Sequence, residues 1–314
     1  MSVSVNREIR RGRPLKARFR RVVRHWELYL RLRPAVAAVI VFNYAPLYGI
    51  QLAFKEMRLG QTIESAKWVG MRNFVRYFNS GWFWRTIKNT FIIGITAELL
   101  FPLPILLALL MHNCVVHRLK KLTQTVTYIP HLVSVVVTIS ILLLFCDGET
   151  GLINIFRSRL GLSKVSFFGA DRYVLPMYLI TGVWQGTGSG AIVYLAALSA
   201  VDNELIEASM IDGCSKFKRM IHIDLPTIMP TVIIMLIMSL GRWFGVQTDK
   251  LLLLQTPLNM GASEATGTYT YKVGIQNAQY GMGTAIGLFV NVINFVMLIS
   301  ANFISKRVSE TSLF

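Results

Sequence analysis

The chain predicts an all-α membrane protein: six transmembrane helices, with a short amphipathic helix in one cytoplasmic loop. Three observations lead there. Of 314 residues, 53% are hydrophobic and the mean hydropathy is +0.49, more apolar surface than a soluble fold of this length carries. Several apolar runs reach the roughly 20 residues that cross a bilayer core. The alternating ten-residue patterns of an outer-membrane barrel are absent, which leaves helices as the element that satisfies its own backbone in lipid.

Taken in order, residues 1–33 form a basic segment. They hold eleven of the 33 Lys and Arg, with Glu8 and Glu27 as the only acids. Residues 34–86 comprise a first span, about Ala35 to Phe54, and an external loop. That loop, 55–86, contains Trp68, Phe74, Tyr77, Phe78, Trp82, Phe83 and Trp84. So many aromatics suit a segment lying along the headgroups; a platform for sugar rings is the sharper alternative. Residues 87–306 hold five further spans: Ile87 to Met111, Val126 to Cys146, Leu175 to Val201, Pro226 to Val246 and Thr284 to Ile304. The second and fourth spans of the chain exceed a perpendicular crossing and so tilt or extend past the core. Pro102 and Pro104 predict a kink in the second. Residues 247–283 follow neither period and read as a partly re-entrant or surface-lying external segment. Residues 307–314 are a short tail.

Charge sets the orientation. With the N-terminus inside, the segments 1–33, 113–125, 202–223 and 305–314 are cytoplasmic and carry 19 Lys and Arg, against ten in 55–86 and 147–174. Both termini are then inside. The net charge of +17 therefore marks contact with anionic membrane lipid rather than nucleic acid. Cys114, Cys146 and Cys214 and the five His show no metal or disulfide spacing. The apolar stretch begins too late, near residue 35, for a cleavable signal peptide.

The loop 202–223 is the most informative segment. Asp202 or Asn203 can cap a helix, and Glu204 and Glu207 suit its first turns. Ile206, Met210, Phe217 and Ile221 recur near four and seven, giving an apolar face that Gly213 interrupts. Lys216, Lys218 and Arg219 follow, and Leu225-Pro226 opens the next span. A helix resting on lipid is one reading. The acids Asp202, Glu204, Glu207 and Asp212 are poor partners for anionic lipid and better suit a protein groove with basic residues.

The segment Glu207-Ala208-Ser209-x-x-Asp212-Gly213, with Leu225-Pro226 after it, resembles the EAA signature of binding-protein-dependent ABC importer permeases; Ser209 stands where the second Ala is usual. Asn43-Tyr44-x-Pro46-x-Tyr48-Gly49-Ile50-Gln51, Phe83-Trp84-Arg85-x-x-Lys88-Asn89-Thr90, Gln124 to His131, Tyr194 to Leu198, Gly287-Leu288-Phe289 and Thr311-Ser312-Leu313-Phe314 are similar to the oligosaccharide branch of that family. The resemblance implies the type I importer permease fold and a partner set: a second homologous permease, two cytoplasmic ATPase subunits and an external solute-binding protein. It makes the loop helix a coupling helix, in which Glu204, Glu207, Ala208, Asp212, Gly213, Phe217, Leu225 and Pro226 engage the ATPase. ATP and Mg belong to those partners. The branch carries oligosaccharides, including acidic ones, and the alginate importer permease is the expected relative. The chain departs from the branch pattern at Gly241-Arg242-Trp243-Phe244 and at Thr248-Asp249-Lys250.

No GxxxxGK[ST] phosphate loop occurs, so the chain is expected to be a transport subunit and not an enzyme. Gly186-Thr187-Gly188-Ser189-Gly190 instead lets helices approach. Gln185, Arg242, Asn291 and Asn294 are the candidates for the substrate path. The amides serve either helix packing or sugar hydroxyls. Arg242 either attracts a carboxylate or snorkels to headgroups. Glu98 is the one acid well inside a span, facing a wet cavity or paired with a base. Two other classes stay open on the residues alone: an ion-coupled secondary transporter, and a membrane anchor with a docking helix.

Overall fold

A computed structural model describes residues 26–58 and 60–309; the basic cluster before Trp26 and the Thr311–Phe314 motif lie outside them. The chain divides after Gln51 into two units. In the first, helix α1, Trp26–Val39, runs into a π turn, Ile40–Tyr44, and a 3-10 stretch that begins at Ala45. Tyr29–Phe54 is a continuous helix of spanning length and composition.

The second unit begins with a two-residue hairpin, β1 (Lys55–Glu56) antiparallel to β2 (Lys67–Trp68). Helix α2, Arg72–Phe78, follows. The aromatic loop does not lie as one headgroup belt. Phe74 and Tyr77 are buried, and Tyr77 packs edge-on against Phe83 and Phe289. Trp68 and Trp84 stay exposed. Aromatic count alone does not separate these two fates, because the chain doubles back and gives Tyr77 a pocket.

The second span is two helices, α3 (Phe83–Glu98) and α4 (Pro102–His112). Pro102 sits at the first turn of α4, where its missing N–H costs nothing. The predicted third span, Val126 to Cys146, is not one helix. It is α5 (His117–Leu132) and α6 (Val135–Cys146), bent by 101°. Ser134 restarts the chain by accepting the Val137 N–H at 3.3 Å, while Val133 is extended. The apolar run passes through this break without a mark in its hydropathy.

A short helix, α7 (Leu152–Arg159), precedes α8 (Asp171–Leu198). Among the described residues four helices are long and apolar enough to span, or five with the bent pair. Helix α8, the fourth expected span, is not among them, although its 28 residues reach about 42 Å at 1.5 Å per residue. Its Gln185–Gly190 run is polar because α8 is the central helix, packed against α3, α4 and α5. Gly188 marks the closest approach: a Cβ there would lie 2.0 Å from the Thr127 carbonyl oxygen.

The loop helices are α9 (Asn203–Ile211) and α10 (Lys216–Arg219). A π turn, Met220–Asp224, carries the chain into α11 (Leu225–Leu240), the fifth span. Residues 247–283 do not simply lie on a surface, since many of their side chains are buried. They fold as α12 (Thr248–Leu254), α13 (Met260–Ser263) and α14 (Thr266–Tyr271), extended by a π turn. Leu251 and Leu254 are fully buried with Val174 and Ile139. The polar residues that disguised this segment are buried too: Asn89 donates to the Gly261 and Glu264 carbonyls at 2.8 and 3.0 Å, and Glu264 pairs with Lys272. Helix α15, Tyr280–Ser309, closes the bundle.

Candidate functional site

Two places hold the residues singled out by sequence. The first is the loop after α8. Asp202 caps α9 by accepting the Glu204 N–H at 2.9 Å. The helix ends at Asp212 rather than running through Gly213. Gly213 has φ +68, and the Gly213 and Cys214 N–H groups donate back to Met210 and Ser209 carbonyls at 3.1 and 2.9 Å. This is a Schellman closure, which requires the left-handed conformation that glycine adopts freely. Ser215 then caps α10, accepting the Lys218 N–H at 3.4 Å.

The exposed face of the loop differs from the one the spacing predicts. Ile206 packs into the core with Ile105 and Leu198, and Ser209 is buried. Glu204, Glu207, Ala208, Asp212 and Phe217 are exposed. Ile211 is 86% exposed and Met210 60%. Acids and large apolar side chains therefore share one outward surface. Leu225 is half-buried against the core and Pro226 exposed at the start of α11.

A buried polar cluster ties the loop to the bundle, and sequence reasoning missed it. Asn113, at the end of α4, donates to the Asp224 carboxylate at 2.7 Å and to the Leu109 carbonyl at 3.0 Å. Its Oδ1 accepts from Arg219. Asp224 is fully buried and Arg219 nearly so. Arg219 reads in sequence as one of three surface cations. Nothing local tells it from Lys218, because burial comes from the distant α4.

The second place is a cavity of about 520 Å³ between α3, α8, α11 and α12, lined by Glu98, Arg242, Trp243, Gln247 and Lys250. Glu98 accepts from Ser239 Oγ at 2.6 Å through one oxygen. Its other oxygen, the Trp243 indole N–H and the Lys250 ammonium are all buried without a hydrogen-bond partner. Of the four predicted path residues, only Arg242 lines this cavity. Gln185 instead donates to the Val133 carbonyl and Thr138 Oγ1 at 3.0 and 2.8 Å, tying the bent pair to α8. Asn294 accepts the Phe244 N–H at 2.9 Å. Asn291 lines a separate cavity of about 550 Å³ with Tyr271 and Tyr280.

Residues 101–310 match the family described as binding-protein-dependent transport system inner membrane component. Protein LplB of Bacillus subtilis (strain 168) is 35% identical over 289 residues, covering 91% of each chain. The polygalacturonan/rhamnogalacturonan transport system permease protein YteP of the same strain is 33% identical over 290 residues, covering 91% of this chain and 90% of YteP. A crystal structure of a bacterial ABC transporter involved in the import of the acidic polysaccharide alginate contains a chain 32% identical, with a TM-score of 0.85, covering 93% of this chain and 99% of that one.

The chain belongs to the binding-protein-dependent transport system inner membrane component family. It has the type I ABC importer permease fold and is a permease subunit of the inner membrane, not an enzyme.

Proposed function

We propose that this permease moves acidic oligosaccharides, such as alginate or uronic-acid fragments, inward by alternating access driven by ATP on partner subunits. The partners are a second homologous permease, two cytoplasmic ATPase subunits that hold ATP and Mg, and an external solute-binding protein. Both termini and the loop 202–223 face the cytoplasm, and the basic residues of 1–33 rest on anionic headgroups. The substrate class is supported by the alginate importer and by YteP.

The observation that carries the reading is the outward surface of α9. Glu204, Glu207, Met210 and Ile211 are exposed together on a helix whose other side is anchored by Ile206 and Ser209. A lipid-lying helix keeps its large apolar residues free of carboxylates; a basic, partly apolar groove on an ATPase suits both. Closure of an ATPase dimer would pull on α9 and be transmitted through Asp224 and Asn113 to α4 and α11, a rigid-body switch between two arrangements.

The test is ATPase activity of the complex copurified with this chain, in lipid, with its binding protein and an acidic oligosaccharide. In wild type, hydrolysis is stimulated. In Glu207→Lys the stimulation is lost, because reversing one partner of an interfacial charge pair costs about 2–5 kcal/mol. Absence of any ATPase in gently solubilised wild-type material would sink the importer assignment to these partners.

A further inference from the structure

Lys250 lies in α12, and the coupling reading gives it no task. Its side chain is 1% exposed. The ammonium has no hydrogen-bond partner and lies over the face of Tyr178, 4.8 Å from the ring centroid. Tyr178 is itself held by the Gln247 N–H, which donates to its hydroxyl at 3.1 Å. On the next turn of α8, a Cβ at Gly182 would lie 3.4 Å from Nζ, so the ammonium lies against bare backbone that offers it no acceptor side chain.

An unpaired buried ammonium is costly. It is retained at the wall of a cavity that Arg242 also lines. Both cations come from the 241–250 segment that follows α11. The same wall supplies Trp243, whose ring packs on Phe91 and whose buried indole N–H has no partner, and Glu98, with one buried carboxylate oxygen unpartnered. Sugar rings stack on such an aromatic and their hydroxyls donate to such an oxygen. Neutral sugar needs no buried cation; a sugar carboxylate does.

We propose that Lys250, with Arg242 in the same cavity lining, is the carboxylate-reading element of the translocation cavity, and that it sets selection for uronate-type oligosaccharides over neutral ones inside the membrane subunit. This rests on the substrate class proposed above. An oligosaccharide carboxylate entering the cavity replaces the missing partner of Lys250, while Trp243 and Glu98 take up ring face and hydroxyl.

The experiment uses the complete complex in lipid with its binding protein. Stimulated ATPase is measured for a uronic-acid oligosaccharide and for its carboxyl-reduced, neutral counterpart, in wild type, Lys250→Met and Lys250→Arg. The expected result is a wild-type preference for the acidic sugar that falls about tenfold or more in Lys250→Met, the worth of a charge-assisted hydrogen bond, and is kept in Lys250→Arg. An unchanged acidic-to-neutral ratio in Lys250→Met, with the wild-type preference intact, overturns the role of Lys250 and leaves the substrate class standing. Equal stimulation of wild type by both sugars overturns the substrate class, and this proposal with it. Thermal melting of the complex gives a second readout. Removing an unpaired buried charge leaves Lys250→Met melting at or above wild type. A loss of several degrees would instead identify Lys250 as the ion-pair partner of a neighbouring subunit and overturn the proposal.

Discussion

At the residue scale, two glycines do opposite things, and substitution separates them. Gly213 is in the left-handed region with open space around it. Gly213→Ala therefore carries only the backbone penalty of about 1–2 kcal/mol. It should loosen α9 without disturbing the bundle, seen as faster hydrogen exchange confined to residues 203–215. Gly188 has ordinary backbone but no space beside Thr127. Gly188→Val forces α5 and α8 apart, with a cost of about 1–3 kcal/mol or more from overpacking, read as a lower melting temperature of the solubilised chain. Sequence marks both as glycine; only φ and the neighbour distance tell them apart.

At the element scale, the bent pair α5–α6 depends on α8 for closure. Gln185 reaches both sides of the bend, at Val133 and Thr138. Gln185→Leu removes both bonds and should destabilise the chain by about 1 kcal/mol, the usual range for polar contacts between membrane helices. The same variant should leave selection between acidic and neutral sugars unmoved, since Gln185 does not line the cavity with Lys250. A lost selectivity would return Gln185 to the substrate path. The apolar runs of α1, α3–α4, α5–α6, α11 and α15 were legible because burial in lipid demands continuous hydropathy. The 101° break was not, because Val133 ends one helix and Ser134 starts the next without interrupting that hydropathy.

At the scale of the whole molecule, the cluster of Arg219, Asn113 and Asp224 joins the loop to the ends of two spans 111 positions apart in sequence. Asn113→Ala leaves Asp224 and Arg219 buried with fewer partners. The expected outcome is an uncoupled complex: the ATPase still copurifies and hydrolyses ATP, but acidic sugar with binding protein no longer stimulates it. Retained stimulation would remove this cluster from the transmission path.

The sequence by itself determined the membrane class, most of the spans, the loop between the fourth and fifth, and the family. Each of these is written in local composition or in a contiguous motif, Glu207 to Gly213 above all. The tertiary structure alone decided which loop residues face outward, that residues 247–276 form a buried core segment, and that Glu98, Trp243 and Lys250 converge on one cavity. Those facts depend on contacts between residues far apart in the chain. A buried Lys250 and an exposed Lys218 are spelled with the same letter, and only packing assigns one to the interior and the other to the surface.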